Sequence, residues 1–594
     1  MKHTLLGAVA FLSCTFFLCS CSSKNTSSNQ IKPESLSYEE LVTSAEKGDS
    51  MALVNLGLLY EHKKIPGSTL SYENLPLDYK KAAECFTKAM EAGNMKAPRH
   101  LGLLYKNGTS DGSFAPDEAK AAELFKLAME RGDSTGTLLY ADCLYDGSGV
   151  EKDENLAMKL YSKLVETNAH DKEAAALRLR GIRSVSTIAE SFGDGQKVSA
   201  VILEYAKEIA PSSVTLETYS VDGRKIEALD FEGKTVKIRL VYENKWDKTD
   251  GKMPSREKKA EGASGEGNKD NKDSASNKDS AGGEANGPRF EDDGAEVDLS
   301  AKVLQKKDVL AIDGTVFKAS EEAFVSTSAK ELVIEDFEKK TFTDSETGIT
   351  LPYFVYLPEG YSEEEKYPLV FFVPDASADT SIDTATLTQG NGATIWASKD
   401  EQIKHKAIVV AVQYPLDVVK NYGALTTDEN VWTVGLTAVD NLLHSVIRTY
   451  AVDENRIFGT GQSQGCMTNI ALSDKHPDLF AAQFLVAGQW NVEEMKAMKD
   501  KKLWIVVCEG DEKAYPAMKA AVDLWESLGS KVARGEIMWN GKADEAERNA
   551  DTDAMLAKDA DIRFNVIAGG SHMYTWSLAY NYEGIRDWLF SQSK

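Results

Sequence analysis

Basic residues are scarce in this sequence compared with acidic ones. Its 594 residues include 68 lysines and arginines against 93 aspartates and glutamates, which gives a formal net charge of −25 at pH 7. Proteins that bind nucleic acids do so largely through basic patches that neutralise phosphates. The charge balance therefore excludes nucleic acid as an expected partner, and it disfavours a polyanionic substrate because like charges repel.

Cysteine and histidine are also rare. Three of the seven cysteines lie within the first 21 residues, and the other four are Cys85, Cys143, Cys466 and Cys508. Each of these four lies in an apolar run, which is typical of small buried side chains. No cysteine spacing calls for a disulfide or a bound metal, so we predict no metal and no other cofactor. The eight histidines leave few candidates for a general base.

The apolar run near the N-terminus, residues 5–18, is too short to cross a bilayer comfortably. At about 14 residues it fits the core of a secretory signal peptide. It ends in Leu18-Cys19-Ser20-Cys21, which resembles the lipobox of bacterial lipoproteins. The resemblance implies cleavage before Cys21 and acylation of its thiol. We therefore predict a lipoprotein signal peptide over residues 1–21 and a flexible tether over 22–35. The expected location is the outer membrane or cell surface; an ordinary secretory signal is the alternative.

Residues 36–185 repeat a common pattern. The segment Leu56-Gly57-Leu58-Leu59-Tyr60 returns as Leu101-Gly102-Leu103-Leu104-Tyr105, and Gly48, Gly93 and Gly132 recur where helices are expected to end. Repetition on this scale predicts an all-α solenoid of stacked helical hairpins. The pattern resembles Sel-one-like repeats, which are related to the tetratricopeptide repeat. The resemblance implies a docking scaffold for a protein partner; a purely structural spacer is the alternative.

Residues 195–328 are predicted to form a small β-sandwich. Val198–Tyr205 and Val236–Tyr242 alternate apolar and polar residues, as half-buried strands do. Residues 246–293 contain almost no apolar side chains, so we predict a disordered insertion there. The segment VSAVILEYAKEI, residues 198–209, resembles the immunoglobulin-like domain that precedes some bacterial esterases.

Strand-like and helix-like segments alternate from residue 332 to residue 594. Apolar runs such as Leu369–Val373, Arg456–Thr460 and Trp504–Cys508 are separated by helical stretches such as Val431–Tyr450. Alternation of this kind predicts a mostly parallel sheet that is flanked by helices on both faces.

The sequence Gly461-Gln462-Ser463-Gln464-Gly465 follows one of these strands and opens a predicted helix. In that context G-x-S-x-G is typical of a nucleophile elbow, where glycines avoid collisions at a tight turn. The turn leaves Ser463 at the N-terminus of the helix, where the N–H of Gln464 is placed to stabilise an oxyanion. We therefore predict Ser463 as a nucleophile and Gln464 as an oxyanion donor.

A neutral serine needs a general base. In α/β-hydrolases the chain order is Ser, acid, His, and His572 fits this order because it follows the predicted strand Arg563–Ile567. His476, at the end of the helix after Ser463, is expected to face solvent. We therefore predict His572 as the base.

The acid is expected just after the predicted strand Trp504–Cys508. Asp511 is our choice, with Glu509 and Glu512 as rivals on the same turn. Its role would be to hold the imidazole in one tautomer and to offset the positive charge that forms on it.

A second oxyanion donor is expected in the loop after Leu369–Val373, which reads Pro374-Asp375-Ala376-Ser377. Esterases usually have His-Gly here, but the donor is a backbone N–H, so we nominate Ala376.

Trp490 and Tyr515 lie just beyond predicted strand ends and are candidates for the lining of a substrate cleft. Buried packing is the alternative for both aromatics.

Residues 332–594 resemble bacterial secreted esterases related to polyhydroxybutyrate depolymerases and to feruloyl or acetyl-xylan esterases. The matching phrases include GTGQSQG, GDEKAYP and GGSHMYTW. The resemblance implies an α/β-hydrolase fold and hydrolysis of a small-molecule or carbohydrate ester through an acyl-enzyme on Ser463. The whole chain is thus predicted to be multidomain, with a helical solenoid, a β-sandwich and an α/β-hydrolase. Two alternatives are a prolyl-oligopeptidase-type serine peptidase and a surface interaction scaffold with a vestigial hydrolase domain.

Overall fold

The computed structural model describes residues 36–65, 68, 75–251, 297–378, 380–418, 425–426 and 429–594. The chain divides into two compact units, one ending at Leu179 and the other beginning at Arg180. The predicted signal peptide and Cys21 lie outside the described residues. Within the described residues, no helix combines the length and apolar character that a membrane crossing requires.

The first unit is built from paired helices. Its described residues contain α1 (Tyr38–Glu46), α2 (Ser50–His62), α3 (Tyr79–Glu91), α4 (Ala97–Asn107), α5 (Glu118–Glu130), α6 (Ser134–Asp146), α7 (Glu154–Glu166) and α8 (Lys172–Leu179). An aspartate side chain caps the N-terminus of five of them, at Asp49, Asp78, Asp117, Asp133 and Asp153. Gly48, Gly93 and Gly132 follow helix ends with φ of 85°, 85° and 91°, a conformation that favours glycine.

The repeated Leu-Gly-Leu-Leu-Tyr segments allow close helix packing. A Cβ atom at Gly57 would lie 2.4 Å from the ring of Phe86, and one at Gly102 would lie 2.7 Å from the ring of Phe125. The ring of Phe86 on α3 therefore packs against Gly57 on α2, and the ring of Phe125 on α5 packs against Gly102 on α4. The predicted helical hairpins are confirmed.

The second unit begins with a β domain. Its strands are β1 (Ile182–Phe192), β2 (Gly195–Tyr205), β3 (Tyr219–Val221), β4 (Ile226–Glu232), β5 (Thr235–Leu240), β6 (Lys302–Gln305), β7 (Val309–Leu310), β8 (Val316–Phe317), β9 (Phe324–Val325) and β10 (Ser328–Glu331). They form a five-stranded sheet in the order β10-β1-β2-β5-β4, a three-stranded sheet β3-β6-β9 and the pair β7-β8.

This domain begins earlier than the sequence pattern indicated. Helix α8 ends at Leu179 and β1 begins at Ile182, whereas we expected repeats to residue 185 and the sandwich from 195. β1 is rich in Ser and Thr. Its strand structure depends on antiparallel pairing with β2, as in Thr187 opposite Val201. Such long antiparallel pairing is not visible in the periodicity of one segment.

The first residues of the predicted disordered insertion are folded. Residues Lys245–Thr249 form a 3₁₀ helix, and Trp246 is only 8% exposed within the main core of the hydrolase. Tyr574 donates a hydrogen bond of 3.4 Å to Asp247. The prediction of disorder is therefore wrong for residues 246–251, because the one large apolar side chain of this stretch is buried. Residues 252–293 lie outside the described part.

A nine-stranded sheet forms the centre of the hydrolase. Its strands are β11 (Glu338–Thr343), β12 (Thr350–Tyr356), β13 (Tyr367–Val373), β14 (Ile408–Val412), β15 (Val452–Gln462), β16 (Ala482–Val486), β17 (Leu503–Cys508), β18 (Val532–Arg534) and β19 (Ile562–Ile567). The strand order is β11-β12-β14-β13-β15-β16-β17-β19-β18. All neighbours from β14 to β18 pair in parallel, and only the two pairs made by β12 are antiparallel.

Helices cover both faces of this sheet. They are α9 (Ala385–Thr388), α10 (Lys399–Lys404), α11 (Val434–Thr449), α12 (Gln464–Lys475), α13 (Ala514–Ser527), α14 (Glu545–Leu556), α15 (His572–Ala579) and α16 (Glu583–Phe590). Along β13, Val370 and Phe372 belong to one core cluster, while Leu369 and Phe371 belong to the other. Both faces of the strand are thus buried, as expected for a parallel sheet between helical layers. The predicted α/β-hydrolase fold is confirmed.

Replacing Trp246 by alanine tests whether this residue belongs to the folded core. We expect Trp246→Ala to lower the free energy of unfolding of the second unit by about 3 kcal/mol, because it empties a buried aromatic site. Ile312, which is 62% exposed in the same β domain, provides the control. Ile312→Ala should change the stability by less than about 0.5 kcal/mol. Equal urea denaturation curves for the two variants would show that Trp246 is not packed in solution.

Candidate active site

Ser463 lies at a sharp turn between β15 and α12. Its backbone has φ 53° and ψ −118°, a strained conformation for a residue with a side chain. A Cβ atom at Gly461 would lie 2.5 Å from the carbonyl oxygen of Val373, and one at Gly465 would lie 1.8 Å from it. The two glycines therefore allow β13 to approach the turn, as the G-x-S-x-G pattern predicted.

His572 is the first residue of α15 and faces Ser463. Its Nε2 lies 2.8 Å from Oγ of Ser463, and its Nδ1 lies 2.6 Å from Oδ2 of Asp511. A carboxylate accepts hydrogen bonds, so Nδ1 carries the proton and Nε2 is left to accept the serine O–H. The ring of Trp576, one turn further along α15, packs edge-to-face against the imidazole at 5.0 Å.

Asp511 is held in a buried position after β17. Its side chain is 2% exposed, and its Oδ1 accepts hydrogen bonds from the N–H groups of Ala514 at 3.0 Å and Lys513 at 3.2 Å. Burial raises the pKa of Asp511, but the hydrogen bond from His572 and these backbone donors outweigh it. The net pKa lies below its ordinary value, so the carboxyl group stays ionised opposite the imidazole.

The rival acids have other positions. Glu509 accepts a hydrogen bond of 3.0 Å from the N–H of Gly569, three residues before His572. The N–H of Gly510 donates to the carbonyl of Gly569 at 3.0 Å. Glu512 is exposed. Glu509 therefore joins the loop of the acid to the loop of the histidine, whereas Asp511 contacts the imidazole itself.

Two backbone N–H groups remain candidates for an oxyanion site. Gln464 is the first residue of α12, so its N–H has no acceptor within the helix. Ala376 is exposed on the loop after β13, and its N–H donates to no other group of the described residues. The chemistry that both positions allow is the stabilisation of negative charge near Oγ of Ser463.

The side chains that hold this loop were not predicted from the sequence. Nε2 of Gln462 donates to Oδ2 of Asp375 at 2.9 Å, and Oδ1 of Asp375 accepts from the N–H of Ser377 at 2.8 Å. The hydroxyl of Tyr414 donates to the carbonyl of Pro374 at 2.6 Å. Asp375 thus occupies part of the place where esterases usually have His-Gly and ties the loop to the elbow. The unusual Pro374-Asp375 pair was the only signal in the sequence.

The two aromatic candidates for a substrate cleft differ in burial. Trp490 is 5% exposed in the main core, and its Nε1 donates to Glu494 at 2.8 Å. It is therefore a packing residue, the alternative that the sequence had left open. Tyr515 is half-buried at the start of α13, and its N–H bonds the carbonyl of Asp511 at 3.2 Å. Its position beside the triad keeps the substrate role a prediction.

The four cysteines that the structure describes do not offer a second nucleophile. Cys466 directly follows the elbow and is fully buried against Gly488, where a Cβ would lie 2.3 Å from its sulfur. Burial raises the pKa of the Cys466 thiol far above its usual range and that of Cys508 to about 12. Cys85, Cys143, Cys466 and Cys508 are all free and buried, as the sequence predicted.

The strand order and the Ser–His–Asp arrangement define the α/β-hydrolase class. Comparison with family models gives two matches. Residues 184–318 match the esterase Ig-like N-terminal domain, and residues 70–94, 99–133 and 136–166 match the Sel1 repeat. The resemblances to Sel-one-like repeats and to the immunoglobulin-like domain of esterases are thereby confirmed. No curated protein matches the chain.

Solved structures are also similar to parts of this chain. A thermostable esterase is 22% identical, with a TM-score of 0.51, and the match covers 69% of this chain and all of that one. The feruloyl esterase module from Clostridium thermocellum, complexed with sinapinate, is 17% identical over 43% of this chain and 87% of its own, with a TM-score of 0.30. A Sel1 repeat protein from Oxalobacter formigenes is 23% identical over 24% and 96%, with a TM-score of 0.20. The first of these similarities shows the fold over 69% of the chain.

Replacing Asp511 by asparagine tests the assignment of the acid. We expect Asp511→Asn to lower kcat for an activated ester by about 10⁴-fold, because the amide favours the wrong imidazole tautomer. Glu512→Gln removes a neighbouring carboxylate that is exposed and should leave kcat unchanged. If the two substitutions reduced kcat equally, Asp511 would not be the partner of His572.

Proposed function

We propose that this protein is a serine hydrolase that cleaves carboxylic esters through a covalent acyl-enzyme. The observation that supports the proposal is the continuous hydrogen-bond chain from Asp511 through His572 to Ser463, with distances of 2.6 and 2.8 Å. These distances lie within the range that proton transfer requires. The matched Ig-like domain of esterases, residues 184–318, agrees with this activity.

In the first half-reaction, Oγ of Ser463 attacks the ester carbon while Nε2 of His572 takes the hydroxyl proton. The N–H groups of Gln464 and Ala376 stabilise the oxyanion of the tetrahedral intermediate. His572 then gives the proton to the leaving alcohol, and the acyl group remains on Ser463. In the second half-reaction, water attacks the acyl carbon, His572 takes its proton and returns it to Oγ, and the acid is released.

For the substrate we propose an ester of a small molecule or of a carbohydrate. The support comes from the resemblance of residues 332–594 to secreted esterases that act on polymers and on plant-wall esters. The net charge of −25 agrees with a neutral rather than a polyanionic substrate.

We further propose that the protein is exported and anchored by lipid at Cys21 to the outer membrane or the cell surface. The apolar run of residues 5–18 and the sequence Leu18-Cys19-Ser20-Cys21 support this location. A polar tether follows Cys21 and would let the folded units stand away from the bilayer.

We propose that the helical repeats bind an acidic segment of a protein partner. A groove of about 720 Å³ in the first unit is lined by apolar residues, among them Val54 and Leu58, and by the cationic side chains of Lys96 and Arg99. Asp133 is the one acidic residue of this lining, and it pairs with Arg99 at 3.3 Å, so Lys96 supplies the unpaired positive charge of the lining. The groove therefore combines apolar surface with positive charge in a protein that is otherwise strongly acidic.

Replacing Ser463 by alanine tests the proposed chemistry. We expect Ser463→Ala to lower kcat for p-nitrophenyl acetate by several powers of ten, up to about 10⁶, because the nucleophile is lost. Ser527→Ala, at an exposed serine that ends α13, is the control and should retain full activity. A fluorophosphonate should label the wild type and Ser527→Ala but not Ser463→Ala. Equal rates for both variants would refute the proposal, and cleavage of peptides in preference to esters would favour the peptidase alternative.

Replacing Cys21 by serine tests the lipid anchor. In a bacterial host that processes lipoproteins, the wild type should partition into the detergent phase of a two-phase extraction. We expect Cys21→Ser to partition into the aqueous phase, because serine has no sulfur to form the thioether that carries the lipid. Cys19→Ser is the matched control and should stay in the detergent phase. If Cys21→Ser also stayed there, the chain would be held by something other than this cysteine.

A further inference from the structure

Two histidines and one aspartate meet where helices α11 and α12 lie side by side, away from Ser463. Asp440 and His444 are one turn apart on α11, and His476 directly follows the end of α12. One ring nitrogen of each histidine and a carboxylate oxygen of Asp440 all lie within 4.8 Å of one another. The side chains of His444 and His476 are 39% and 32% exposed, so an ion can reach them from solvent.

The carboxylate of Asp440 is only half satisfied. Its side chain is 5% exposed. Its Oδ2 accepts hydrogen bonds from Nε2 of His476 at 2.9 Å and from Nζ of Lys475 at 3.0 Å. Its Oδ1 is buried and accepts no hydrogen bond. A buried carboxylate oxygen without a donor is costly, which indicates that a positive group belongs beside it.

No nearby histidine proton reaches that oxygen. Nδ1 of His444 lies 3.2 Å from Oδ1 of Asp440, but it makes its hydrogen bond of 2.9 Å to the main-chain carbonyl of Asp440. A carbonyl oxygen only accepts, so Nδ1 carries the proton and the imidazole is oriented by the backbone of its own helix. Imidazoles oriented in this way are typical of metal ligands.

We propose that Asp440, His444 and His476 bind a zinc ion, with water completing the coordination. Two imidazole nitrogens and one carboxylate oxygen are ligands that Zn²⁺ accepts, at about 2.0–2.2 Å each. Tetrahedral ligands at that distance are roughly 3.3 Å apart. One ring nitrogen of each histidine and an oxygen of Asp440 lie within 4.8 Å of one another, so small side-chain rotations bring them to that separation. The ion replaces the Nε2 proton of His476, which passes to solvent.

Lys475 competes with this ion. Its ammonium group lies 3.0 Å from Oδ2 of Asp440 and 4.2 Å from the centre of the Trp432 ring. Like charges repel, so zinc binding moves Lys475 off the carboxylate while the aromatic ring still offers it a contact. Removal of the lysine charge should therefore strengthen zinc binding.

A second cluster of similar composition provides a comparison. Glu401, His405 and Asp587 also lie within 4.8 Å of one another. Oε1 of Glu401 is also buried without a donor, but Nε of Arg586 bonds Oε2 at 2.7 Å from a side chain that is only 10% exposed. Lys475 beside Asp440 is 45% exposed and can move into solvent. The second cluster also offers one imidazole instead of two. His405 is therefore a matched control for His444 and His476.

Zinc at Asp440 would join α11 to the C-terminal end of α12, the helix that begins directly after Ser463. Binding to the folded state alone stabilises that state. The test is independent of the ester chemistry, because its readouts are metal affinity and melting temperature rather than turnover.

The experiment uses the full chain, stripped of metal with a chelator. Zn²⁺ affinity is measured by calorimetry, and Co²⁺ is added as a spectroscopic substitute. We expect saturating Zn²⁺ to raise the melting temperature of the wild type by roughly 5 °C. His444→Gln and His476→Gln should each weaken zinc binding by about 100-fold and abolish the visible bands of bound Co²⁺. His405→Gln should bind as the wild type does, and Lys475→Met should bind about 10-fold more tightly.

Two results would overturn the proposal. One is a wild type that shows neither a zinc-dependent melting temperature nor Co²⁺ bands. The other is a zinc affinity that His444→Gln and His476→Gln leave unchanged, since the ion would then lie elsewhere. If either variant is unfolded, the tighter binding expected of Lys475→Met decides the question: an unchanged affinity would contradict a site at Asp440.

Discussion

The hydrolase depends on a close approach between two backbone segments. The carbonyl oxygen of Val373, at the end of β13, lies so near Gly461 and Gly465 that no side chain fits at either position. This contact turns β15 into α12 within one residue and fixes Ser463 at φ 53°. The strain is sustained by the packing of α12, whose first ten residues are all buried. The backbone of Ser463 is thus fixed, and the histidine and the acid have to be positioned relative to it.

The acid and the histidine arrive on loops that are bonded to each other. The N–H of Gly510 reaches the carbonyl of Gly569, while Glu509 accepts from the N–H of the same glycine. A Cβ at Gly510 would lie 2.0 Å from the carbonyl oxygen of Gly570, so the contact requires glycine there too. The distance of 2.6 Å between Asp511 and His572 thus follows from a backbone ladder extended past the ends of β17 and β19, and not from two flexible side chains.

The sequence predicted those features that local chemistry determines. Ser463 and His572 could be chosen because glycine spacing and chain order leave few alternatives, and the repeat glycines because they end helices. Features that depend on distant contacts were missed. Trp246 stands in a polar run, and only the three-dimensional fold shows that it enters the core. His476 was expected to face solvent, yet it bonds Asp440, which lies 36 positions earlier in the chain. The hydrophobic pattern of a single segment cannot predict a contact with a residue so distant in the chain.

The predicted boundary at residue 332 is a boundary in sequence only. Helix α15, which begins at His572, is covered on one side by the β domain: a Cβ at Gly193 would lie 2.0 Å from the carbonyl oxygen of Ser577, and Asn244 donates to the hydroxyl of Ser577 at 3.4 Å. The ring of Tyr574 packs against Gly251 from the same domain. Residues 180–594 accordingly form one compact unit. Because the β domain and the sheet both contact α15, the position of the imidazole relative to Ser463 is a property of the whole unit. A hydrolase cut at residue 332 would lose one of the two surfaces that hold its histidine helix.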